Sequence, residues 1–190
     1  MTGENQDAAT AERRGAADVI AFWRAAGPEK WFGRDPGFDA AFREEFRVLH
    51  MAVAARQQDS WLATADGALA LILLTDQYPR NAFRGTAHMY ATDALARHYA
   101  REAEVAGHWQ HVALELRLFL WLPFSHSEDL ADQDHSVALN ERFDRPLGEY
   151  AEGHRKIIRQ FGRFPHRNAM LARETSAEEA RFLAAGGFAG

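Results

Sequence analysis

Three stretches of the chain gather residue types that can do chemistry, and each contains a proline. They are Asp76-Gln77-Tyr78-Pro79-Arg80-Asn81-Ala82-Phe83-Arg84, Pro123-Phe124-Ser125-His126-Ser127-Glu128-Asp129 and Arg163-Phe164-Pro165-His166-Arg167-Asn168. Together they hold four arginines, two histidines, two asparagines and three carboxylates, set among aromatic rings. Arginine forks match the oxygens of a carboxylate or phosphate, and helix N-termini add oriented N–H donors. The candidate binding residues are therefore Arg80, Asn81, Arg84, His126, Glu128, Arg163, His166, Arg167 and Asn168. The candidate partner is an anionic small molecule or an acidic peptide. Against this stands a plainer explanation. Arginines near helix C-termini satisfy orphan carbonyls, and Asp76, Glu128 and Asp129 can neutralise several arginines internally.

A small enzyme is the second reading, with His126 or His166 as acid–base group and arginines holding an anionic substrate. A third is that the corners only lock the fold. Other constellations lead less far. His108 and His111 could share a helical face as zinc ligands do, yet no third ligand accompanies them at helical spacing, so no metal is expected. His126 has serines and acids around it, but no glycine-flanked nucleophile elbow. There is neither a phosphate-cradling glycine loop nor a dinucleotide fingerprint, and no cofactor is expected. Asp76 should pair with Arg80 or Arg84, because a buried unpaired charge is very costly.

The elements that must position these residues follow from hydrophobic periodicity. The central one is Ala68-Leu69-Ala70-Leu71-Ile72-Leu73-Leu74, uncharged on every face and so buried all round if helical. It belongs to a helix that starts near Asp59-Ser60 and is expected to break at Pro79. Before it come a helix over residues 16–26, stopped by Gly27-Pro28, and one opened by Asp35-Pro36 with Phe38, Phe42, Phe46, Leu49 and Val53 in period. After it, helices are expected over 86–106 and 109–122, the latter breaking at Pro123. A sixth, capped by Ser125 or Ser127, covers 128–142, and a seventh, opened by Pro146, runs to Phe161-Gly162. A short one covers 168–173. A capping box at Thr175-Ser176-Ala177-Glu178-Glu179 precedes a last helix ending at Gly186-Gly187.

No stretch alternates with period two, so the chain is predicted to be all-α, about eight or nine helices in stacked antiparallel pairs. Prolines 36, 79, 123 and 165 recur every 42 to 44 residues, an interval that suits a two-helix repeat. Strict up-and-down alternation would bring the three polar corners to one end. The expected organisation is a disordered polar lead-in over residues 1–15 and a single helical domain over 16–190.

Composition narrows the classes. With 190 residues, 47% hydrophobic and 26% charged, the chain is ordinarily globular. A net charge of −5 argues against broad nucleic-acid binding. Without cysteine there are no disulfides or thiolate metal sites. No apolar run reaches the length of a membrane span, and the N-terminus lacks an apolar signal region. A cytoplasmic protein without a membrane partner is the expectation; oligomeric state is not legible.

The corners also resemble a bacterial family of uncharacterised proteins, the domain of unknown function 924. The similar stretches are LALILLTDQYPRNAFRGTAHMYATDALAR, LRLFLWLPFSHSEDLADQ and FGRFPHRNAMLARETSAEEARFL, with an early FW and a WF followed by FD, over most of residues 18 to 184. Tyr78 stands where phenylalanine is usual and Ala172 where glycine is usual. The resemblance implies an all-helical fold similar to tetratricopeptide-repeat-like stacks. It implies no particular reaction, cofactor or catalytic residue.

Overall fold

The computed structural model describes residues 14–143 and 148–188. Among these residues the chain is helical throughout, with no strand. The α-helices are α1 (Ala16–Phe32), α2 (Pro36–Ala54), α3 (Ala65–Ile72), α4 (Tyr78–Ala82), α5 (Asp93–Val105), α6 (Leu122–Ser125), α7 (Leu130–Arg142), α8 (Gly148–Phe161) and α9 (Ala177–Ala184). The all-α expectation is met. Apart from Arg14 and Gly15, the expected lead-in lies outside the described residues, and so does Pro146. No helix among the described residues is long and apolar enough to cross a membrane. Contacts divide the chain into two compact units. One takes the described residues up to Arg84 together with His88–Pro123, the other Gly85–Ala87 and the described residues from Phe124 on.

In the first unit, α1 buries Val19, Ile20 and Trp23. Gly27 turns the chain at φ +73°, where the stop was expected, but helical structure resumes and carries Trp31 to a stacked contact with Trp23 at 6.2 Å. The carboxylate of Asp35 accepts the N–H groups of Gly37 and Phe38, both at 3.0 Å, and opens α2 with Pro36 in its first turn. Phe38, Phe42, Phe46, Leu49 and Val53 are all buried, as their period requires. Phe119 stands edge-on to Trp23 and Trp31 and closes this aromatic core. Residues 68–74 are fully buried.

Three breaks fall elsewhere than expected. The apolar run passes through a π turn, Leu73–Gln77, and Pro79 becomes the second residue of α4 rather than a stop. A proline there removes the N–H that would bond the Thr75 carbonyl four residues back. The Thr92 hydroxyl donates to that carbonyl instead, at 2.6 Å. Residues 114–120 form a 3₁₀ segment, and Pro123 sits inside the short α6. Pro165 likewise opens the 3₁₀ turn Pro165–Arg167, in place of the helix expected over 168–173. All four regularly spaced prolines thus fall in the first turn of a helical segment, and at Pro79, which directly follows the π turn, Thr92 makes good the lost bond.

In the second unit α7 is capped by Asp129, whose carboxylate accepts the Ala131 N–H at 2.7 Å; Ser127 caps the Asp129 N–H. Asp134, in the first half of α7, meets Arg155 and Arg159, in the second half of α8, so these two helices run antiparallel. Ile157, Ile158 and Phe164 form an apolar cluster against which Phe161, Phe182 and Phe188 pack. Ser176 and Glu179 make the reciprocal capping box that starts α9.

Candidate functional site

The first unit holds Arg80, Asn81 and Arg84. Arg80 grips Asp93 through two bonds of 2.9 and 3.1 Å and pairs with the buried Asp76 at 3.1 Å. It also donates to the Asp76 carbonyl at 2.7 Å. Burial works against its charge, but Asp76 and Asp93 outweigh that and hold the guanidinium well above its usual range. The expected pairing of Asp76 is therefore present. Asn81 donates to the Gln77 carbonyl, and Arg84 forks onto Asp39 at 2.9 and 3.2 Å. In this corner three carboxylates hold the two guanidiniums.

The second unit brings the other two corners together. Glu128 accepts the Phe164 N–H at 2.9 Å and pairs with Arg173 at 2.8 Å, and Arg167 donates to the His126 carbonyl at 3.0 Å. The Arg167 guanidinium lies 4.5 Å over the Phe164 ring, a cation–π placement. Arg163 forks onto Glu179 at 2.7 and 2.9 Å and reaches the Glu174 carbonyl as well. Asn168 donates to Thr175 Oγ1 at 3.3 Å. His166 packs against Phe164 and Phe188. Arg163 and Glu128 thus have clear structural partners, while His126, His166 and Arg167 surround a residue that sequence reasoning missed.

That residue is His154, on α8. Its ring meets Phe164 edge-on at 5.3 Å and Phe188 at 4.6 Å. Both ring nitrogens are shut off from solvent and neither makes a hydrogen bond. Burial, then the fields of His126 and Arg167, push its pKa down to about 3; the Ser125 backbone pulls weakly the other way, without hydrogen-bond geometry. The sequence signal was the apolar stripe of α8. Ala151, His154 and Ile158 recur at helical spacing, which puts a histidine on the inward face.

His154 also forms part of the wall of a pocket of about 500 Å³. Tyr150, Ile157, Phe182 and Phe188 supply its apolar lining, Glu149, Lys156 and Gln160 its polar groups, and Gly153 completes it. Among the described residues no group of three or more histidines or carboxylates is arranged to hold a metal. His108, once a conceivable ligand, bonds the Leu62 carbonyl at 2.8 Å.

Residues 19–187 match the family described as bacterial protein of unknown function, DUF924. The chain belongs to that family. It is similar to a solved structure of a protein of unknown function from Agrobacterium tumefaciens, at 53% identity and a TM-score of 0.87. The alignment covers 90% of this chain and 97% of that one. No curated protein matches. In this DUF924 chain Tyr78 and Ala172 each have a clear structural consequence. The Tyr78 hydroxyl donates to the Arg43 carbonyl at 2.9 Å, and burial pushes its pKa up to about 12. Ala172 keeps a left-handed turn, φ +52°, without the glycine that would adopt it freely.

Proposed function

We propose that this DUF924 protein is a binding module for a small anion, with His154, His126, His166 and Arg167 forming the site. The observation that carries the proposal is the state of His154: a closed-off imidazole with no hydrogen bond from either nitrogen. Buried polar atoms are nearly always paired, and one left unpaired is a natural place for a ligand to supply the missing bond. Glu128, an acid of this cluster, is held by Arg173 and the Phe164 N–H. Arg80, Asn81, Arg84, Arg163, Glu128 and Asn168 serve as scaffold in this reading, because each has its own protein partners.

Calorimetry with benzoate and with inorganic phosphate tests this on the full chain and on His154→Phe. The parent should bind at least one of them, and the variant, equally folded by circular dichroism, should lose at least tenfold in affinity. Equal affinity in both would remove His154 from the site.

A further inference from the structure

We infer that the pocket beside α8 is a site of its own, for a free short peptide held at both of its charged ends. It stands apart from the anion reading above, because both His154 nitrogens are shut off from solvent and the ring serves the pocket only as wall. The middle of the occupant meets Tyr150, Ile157, Phe182 and Phe188, a lining that suits an aromatic or aliphatic side chain. The volume of about 500 Å³ falls within the range, roughly 300–1,000 Å³, of small-molecule sites.

Local features of the chain build this pocket. Gly186 turns the backbone at φ +81°, and a Cβ on Gly187 would fall 2.5 Å from the Phe182 ring. The glycine pair lets the chain pass that close and bring Phe188 back as a wall, 4.6 Å from His154. Gly153 lies in the interior of α8, where glycine weakens a helix. Its backbone does not require a positive φ, and a Cβ built on it would meet no atom within 4 Å. The missing side chain keeps the pocket open.

The charges decide the class of occupant. Glu149 and Lys156 both line the pocket, and neither makes an ion pair or a side-chain hydrogen bond among the described residues. Their neighbours on α8 are engaged: Glu152 pairs with Arg155, and Arg155 and Arg159 pair with Asp134. Seven positions separate the free carboxylate from the free ammonium, about 10.5 Å along the helix at 1.5 Å per residue. The complement is an ammonium at the Glu149 end, a carboxylate at the Lys156 end and an apolar body between. Three extended residues span roughly 10 Å, at 3.3–3.6 Å each. A single amino acid carries both charges on one carbon and cannot reach both ends.

The test is calorimetry of the full chain with the tripeptide Ala-Phe-Ala, its N-acetyl and C-amide forms, and free phenylalanine. The tripeptide should bind at least tenfold tighter than phenylalanine. Either block should weaken it about threefold, the size of an exposed ion pair. In Glu149→Gln the acetyl group should make no difference, and in Lys156→Gln the amide should make none; both side chains are exposed, so the fold is kept. Gly153→Leu, which fills the pocket and favours the helix, should keep or raise Tm and lower tripeptide affinity at least tenfold. No binding of the tripeptide would overturn the proposal outright. Equal affinity for the tripeptide and its blocked forms, or for phenylalanine, would overturn recognition by the two ends. Undiminished binding by Gly153→Leu would overturn the pocket.

Discussion

Single residues carry two sharp consequences. Ala172 holds a left-handed backbone that costs an L-residue roughly 1–2 kcal/mol. Glycine relieves the strain and gives back part of it as entropy of the unfolded chain. Ala172→Gly should therefore stabilise by about 0.5–1 kcal/mol in urea denaturation, a change of sign from the usual effect of introducing glycine. His154 gives the second. Its folded pKa is depressed to about 3 from an ordinary 6.5, so the unfolded chain binds more protons between these values. Its contribution to stability is whole above about pH 6.5 and is lost as pH falls towards 3, by at most ~1.4 kcal/mol per pH unit. His154→Phe should remove that component. The stability of the parent minus that of the variant, measured from pH 7.5 to 4, should slope downward with acid; a flat difference would mean the imidazole protonates freely in the folded state.

At the scale of elements, the proline at 79 teaches the most. Its arrival at the end of an apolar run reads as a stop, yet the helix widens into a π turn and continues. What makes this possible lies far away in sequence: the Thr92 hydroxyl takes over the Thr75 carbonyl at 2.6 Å. Thr92→Val keeps the shape and leaves that buried carbonyl unpaired, so it should cost about 1–3 kcal/mol, read as a lower denaturation midpoint at unchanged m-value. Sequence made legible whatever depends on local pattern. The period of Phe38 through Val53, the Asp35 cap and the Ser176–Glu179 box are of this kind, as is the pairing of Asp76 with Arg80 four residues on. The 3₁₀ geometry of residues 114–120 was hidden, because a short and mostly apolar segment shows no difference between three and 3.6 residues per turn. His154 was hidden for another reason. Neither its burial nor its lack of partners is a property of α8 alone, since both come from Phe164, Phe188 and Arg167 closing around it.

Across the whole molecule the two units rest on different kinds of core. The first is built on Trp23, Phe42, Phe46, Phe119 and the wholly buried run 68–74. Its buried His50, bonded to the Leu74 carbonyl, is sensitive to acid, but large apolar burial surrounds it. The second unit has a smaller apolar cluster, Ile157, Ile158 and Phe164, and a long set of buried polar residues that includes Gln133, Ser136, Asn140, Asn168 and Glu179. Its charges are also tuned against acid. Arg163 first, and then the Ser176 N–H, bring the Glu179 carboxyl down to about 2 from an ordinary 4.5. Stability from Glu179 is thus present above about pH 4.5 and lost as pH falls towards 2, on top of the loss His154 begins near 6.5. The second unit should consequently open first in acid. Hydrogen exchange at pH 4 against pH 7, corrected for intrinsic rates, should show protection in α8 and α9 falling at least tenfold more than in α3. His154→Phe should narrow the gap by restoring protection to α8. Protection falling equally in α3, α8 and α9 would show a single cooperative unit at every pH and would refute the division of stability drawn here.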